Sequence, residues 1–136
     1  MNGICRRGFL LALALVFAAS PCAAQQTTGP AQVQGTASTT STASTLLIAA
    51  PTPSTRRIYV TAFGCANTGA TGAGIVFQDG SGGTTVWNTI APAAGGSNQA
   101  GGGTPLFWTS PGNGLYFAAG AGSTTISCSA SGFSSP

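Results

Sequence analysis

The 136-residue sequence predicts an all-β fold, a small antiparallel β-sandwich of jelly-roll or Ig-like type with about seven short strands and one disulfide, on three observations. Short apolar or alternating runs recur from Thr45 onward, each bounded by Gly, Pro, Asn or Asp. The chain carries 21 Gly and 8 Pro, and Gly or β-branched residues interrupt every window long enough for three helical turns. Composition also divides the chain into three blocks, and only the last, residues 45–136, holds enough apolar surface for a core.

The first block, residues 1–24, reads as an export signal. Arg6 and Arg7 give a positive start, Phe9 to Ala19 an apolar run, and Cys22-Ala23-Ala24 a small-residue cleavage site before Gln25. As a helix that run covers only about 16 Å, roughly half the hydrocarbon thickness, so no stable membrane span is expected after cleavage. The string Arg6-Arg7-Gly8-Phe9-Leu10 suits either the general secretory or the twin-arginine route. The expected location is secreted, periplasmic or cell-surface. Residues 25–44 are almost entirely Gln, Thr, Ser, Ala and Gly, with too little apolar surface to offset chain-ordering entropy, and predict a flexible leader.

The predicted strands are Leu46–Ala50, Arg57–Phe63, Gly74–Gln78, Thr84–Ile90, Leu106–Thr109, Leu115–Ala118 and Thr124–Ala130. Asp79-Gly80 and Asn113-Gly114 supply residues that tolerate positive φ and predict tight reversals. Residues 91–104 have no pattern and predict either a mobile loop or a crossing between two sheets. In the last strand Ile126, Cys128 and Ala130 share one face and Ser127, Ser129 and Ser131 the other, so Cys128 points inward. In Arg57–Phe63 parity puts Tyr59 and Phe63 with Cys65, on the disulfide side unless a bulge intervenes; Trp87 is assigned to the buried face of its strand.

With the signal removed, Cys65 and Cys128 are the two cysteines left, and in an oxidising compartment they predict one disulfide. Closing a 63-residue separation, it stabilises by about 4 kcal/mol in the chain-entropy picture. The remaining charged side chains are Arg56, Arg57 and Asp79. The two arginines read as a solvated strand entrance and do not amount to a nucleic-acid surface. The sequence has no His and a single carboxylate, so a Ser-His-Asp triad, a paired-carboxylate site and a His-ligated zinc are all excluded. Asp79 reads as a turn residue, because calcium needs six or more oxygens. No catalytic residue, metal or cofactor is expected, and the chain is not expected to be an enzyme. The aromatic side chains Trp87, Trp108, Tyr59 and Tyr116 are the candidate binding surface, since any that face outward offer a stacking platform for a glycan or a protein.

The strings Phe77-Gln78-Asp79-Gly80-Ser81-Gly82-Gly83-Thr84, Ala93-Ala94-Gly95-Gly96-Ser97, Ser110-Pro111-Gly112-Asn113-Gly114-Leu115-Tyr116 and Ser129-Ala130-Ser131-Gly132-Phe133 follow one another in order. Over residues 56–133 this succession resembles small β-sandwich domains of bacteriophage virion-associated proteins and of uncharacterised bacterial secreted proteins. The chain differs from the virion domains in its export signal and its cysteine pair. The resemblance implies a module for surface presentation and assembly rather than turnover. The expected function is a non-catalytic secreted or cell-surface structural protein that associates with itself or an envelope component. The alternative is a carbohydrate- or surface-binding module using exposed aromatics.

Overall fold

The structure, a computed structural model, describes residues 30–120 and 125–136. The export signal expected at residues 1–24 lies outside the described residues. Nine strands form two antiparallel sheets: β1 (Ala31–Thr39), β2 (Thr45–Ile48), β3 (Arg57–Asn67), β4 (Ala73–Asp79), β5 (Thr84–Ala91), β6 (Ser97–Gly101), β7 (Phe107–Trp108), β8 (Leu115–Ala119) and β9 (Ile126–Ser135). The first sheet runs β1-β9-β3-β6, with β7 also paired to β3, and the second runs β2-β8-β4-β5. The chain is thus an all-β sandwich, as expected, with two more strands than the sequence announces.

Both additional strands are polar edge strands. Residues 31–39, expected to belong to a flexible leader, pair with β9 over nine consecutive positions, from Ala31 opposite Ser134 to Thr39 opposite Ile126. The sandwich therefore begins before Thr45. Within the patternless stretch 91–104, Ser97–Gly101 forms β6 against β3. Neither strand has the apolar side chains that mark the others, because what orders each of them is the ladder of hydrogen bonds offered by a neighbour.

The inner faces of the two sheets meet in a core of Ile58, Val60, Phe63, Ile75, Phe77, Leu115, Phe117 and Ile126, all at most 5 % exposed. At one end the rings of Phe63, Phe77, Trp87 and Phe107 pack together, with centroids 5.1 to 6.2 Å apart, within the range of favourable aromatic contact. Burying these rings adds apolar area and ring–ring attraction to the aliphatic core. Trp87 faces inward, in agreement with its assigned parity.

Cys65 and Cys128 sit directly opposite each other on β3 and β9 and are joined by the disulfide, with both side chains 1 % exposed. The bond lies within the first sheet and locks its two central strands in register; it does not tie the sheets together. Close approach elsewhere relies on glycine. A Cβ at Gly35 would lie 1.7 Å from the Leu47 carbonyl oxygen, and one at Gly132 would lie 1.9 Å from that of Tyr59. β1 can therefore cross β2, and β9 can follow β3, only where those side chains are missing.

Candidate functional site

Parity along β3 changes at a bulge between Val60 and Ala62. Ile58 and Val60 point inward before it, Phe63 and Cys65 after it. The bulge therefore puts Tyr59 on the outer face, opposite to Phe63 and the disulfide. Tyr59 lies between Trp108 on β7 and Phe133 on β9, and stacks on Phe133 with centroids 5.1 Å apart and planes 19° from parallel. Trp108, 53 % exposed, completes a row of three aromatic side chains across the outer face of the first sheet.

Beside this row the same face is hollow. A groove of about 800 Å³ is floored by Ser127, Ser129 and Ser131 of β9 and by Ala62, Gly64 and Ala66 of β3. Small side chains on the two central strands leave the depression; longer ones on the flanking strands rim it. Gln34 and Thr36 rise from β1 on one side and Gln99 from β6 on the other. The Gln34 and Gln99 carboxamides make no hydrogen bond to another described residue. Ser127 and Ser129 are tied in place, Ser127 to the Ser38 hydroxyl at 2.7 Å and Ser129 to the Gly64 carbonyl at 3.4 Å. Ser131, at one end of the groove floor, and Phe133 are two positions apart on one face of β9, so the aromatic row lies one outward-facing position beyond the groove.

The four aromatic candidates do not form one surface. Tyr59 and Trp108 are neighbours in the row just described. Tyr116 lies on the outer face of the other sheet, between Leu46 of β2 and Gln78 of β4. Trp87 is half-buried in the interior against Phe63 and Phe107. Phe133 is the member of the row that the sequence reading did not single out. Its place two residues beyond Ser131, on the polar face of an alternating strand, was the available signal.

Asp79 and the arginines are engaged in structure. Asp79 ends β4, Gly80 follows at φ 82°, and the carboxylate reaches across to the β7–β8 turn. There Oδ1 accepts from the Ser110 backbone N–H and the Asn113 side-chain amide, both at 3.0 Å, and Oδ2 accepts from the Ser110 hydroxyl at 2.6 Å. Partial burial pushes its pKa up, but these hydrogen bonds, with a smaller contribution from the Arg57 charge, outweigh that and hold it below the ordinary 3.8. Asp79 thus pins two turns together. Nearby, the fully buried Thr109 hydroxyl accepts from the Ile58 N–H at 3.1 Å and donates to the Asn113 carbonyl at 3.2 Å. Arg56, expected in solvent, is 7 % exposed; only Arg57 fits the solvated reading, and that in part. Among the described residues no group of His, Cys, Asp and Glu is placed to hold a metal ion.

No protein-family model and no curated protein sequence matches the chain. Two solved structures are similar to it. One is a chain of the cyanophage Pam1 capsid asymmetric unit, 19% identical, covering 79% of this chain and 86% of that one, with a TM-score of 0.47. The other comes from Bacillus endospore appendages, described as a novel family of disulfide-linked pili, 19% identical, covering 79% of this chain and 92% of that one, with a TM-score of 0.42.

Proposed function

We propose that this protein is a non-catalytic structural component that is exported and assembles at or outside the cell surface, using its first sheet edge to associate with further copies of itself. The observation that carries this reading is β1. It is nine residues long, lies at the end of its sheet, and holds no charge, no proline and no bulge along its pairing with β9. Natural edge strands usually carry one of those devices to block pairing with another chain; β1 offers its open row of N–H and C=O groups without them. A surface with almost no charge adds no electrostatic penalty when two copies meet. The buried disulfide suits an oxidising compartment, and the apolar run at Phe9 to Ala19 supports passage into one.

Sedimentation velocity of the purified protein tests the reading. Wild type is expected to form species larger than the monomer as concentration rises, and the double variant Gln32→Lys/Ser38→Lys, which lines β1 with charge, is expected to stay monomeric. Wild type that remains a monomer at every concentration contradicts it.

A further inference from the structure

The groove on the outer face of the first sheet is separate from the β1 edge, and its chemistry identifies a different kind of partner. We propose that it binds an uncharged polysaccharide chain, with one sugar ring stacked on Trp108 and the following units lying over the serine floor. Four observations lead there.

Trp108 is 53 % exposed and presents an apolar indole to solvent before any ligand arrives, while Tyr59 and Phe133 beside it are stacked on each other. A pyranose ring has an apolar C–H face that an exposed indole accepts and hydroxyl edges that it leaves free. Beyond the row, the groove supplies uncharged donors and acceptors only: the Gln34 and Gln99 carboxamides, not engaged by other described residues, and the hydroxyls of Thr36 and the β9 serines. Carboxamides and hydroxyls both donate and accept, as sugar hydroxyls do. From Ser127 to Phe133 the face runs roughly 20 Å along β9, at about 3.4 Å per residue, a length that accommodates several linked units. The groove, about 800 Å³ and open to solvent along its length, leaves room for a chain that lies across the sheet.

Other occupants fit less well. An anionic chain would find no cation in the groove, since none of its lining residues is charged. An extended peptide gains affinity by pairing with an open strand, and the floor strands β3 and β9 are already paired on both sides. A second copy offering the same face would set one hollow against another and leave both unfilled.

The test uses the purified protein and a panel of neutral hexasaccharides built from glucose, xylose, mannose or N-acetylglucosamine, followed by titration calorimetry and tryptophan emission. At least one of these sugars is expected to bind and to shift the emission of Trp108. Trp108→Ala should weaken that binding about tenfold through loss of a stacked ring. Ser129→Trp, which fills the groove, should abolish it, and Ile90→Ala, on the other sheet, should leave it unchanged; thermal melts check that each variant is folded. Absence of binding across the panel overturns the proposal, as does binding that survives both Trp108→Ala and Ser129→Trp. Neither result alters the sedimentation of the protein, so this site and the self-association at β1 stand or fall separately.

Discussion

The two central strands of the first sheet and the strand at its edge are held by different forces. β3 and β9 bury Ile58, Val60, Phe63, Ile126 and Ala130 against the second sheet and are joined by the Cys65–Cys128 bond. β1 contributes Val33 as its one large apolar side chain, half-buried, and stays in place through its ladder with β9. Apolar burial and a covalent bond make the centre the cooperative unit of the fold. The edge is secured mainly by backbone hydrogen bonds of modest net worth, which leaves it able to exchange or add partners. The region that folds the protein and the region proposed to assemble it are thus adjacent but energetically distinct.

The strongest challenge to this contrast is a matched pair of glycine substitutions. Gly35→Ala and Gly132→Ala place a Cβ at nearly the same distance from a backbone carbonyl, 1.7 and 1.9 Å. β9 is clamped between β1 and β3, whereas β1 can shift outward. Gly132→Ala should therefore cost about 4 kcal/mol or prevent folding, and Gly35→Ala only about 1 to 2 kcal/mol. Equal losses in urea unfolding would remove the distinction. Next in size, Cys65→Ala/Cys128→Ala should lose about 4 kcal/mol, measured against the oxidised wild type. The wild type in reductant should approach the same value.

Smaller effects refine the picture. Val33→Ala on the edge should cost about 1 kcal/mol, against about 4 for Phe117→Ala in the core, both by equilibrium unfolding. Asp79 supplies a pH dependence. Its folded pKa lies below the unfolded value, so its contribution is fully present above the unfolded pKa of about 3.8 and is lost as pH falls through the lower folded value. Asp79→Asn should cost about 1 kcal/mol at neutral pH and flatten the decline in stability below about pH 4. An unchanged acid profile in the variant would show that the two turns do not depend on the carboxylate.

The same contrast explains what could be read from the sequence. Strands that bury side chains announce themselves, as Ile126, Cys128 and Ala130 alternate with serines on β9. The inward Trp87 and the inward Cys128 were legible for that reason, and the Cys65–Cys128 pairing because no other cysteine follows the expected export signal. β1 and β6 were not: Ala31–Thr39 has the composition of a linker, and it becomes a strand because β9 presents an edge to it, a fact of tertiary structure that no local window contains. The aromatic row was half legible. Trp108 and Tyr59 stand out by residue type, but the bulge after Val60 turns Tyr59 outward, and without it the row would be broken. The groove needs four strands in register and could not be read from any one of them.

Hydrogen exchange along β1 tests the central claim most directly. In an antiparallel edge strand alternate amides bond to the neighbour while the rest face outward. In dilute protein the amides of β1 that bond to β9 should exchange slowly and the intervening ones rapidly; at concentrations where larger species sediment, the rapid set should slow as well. If that set exchanges at the same rate in large species and in monomer, β1 is not the surface through which copies of this chain meet.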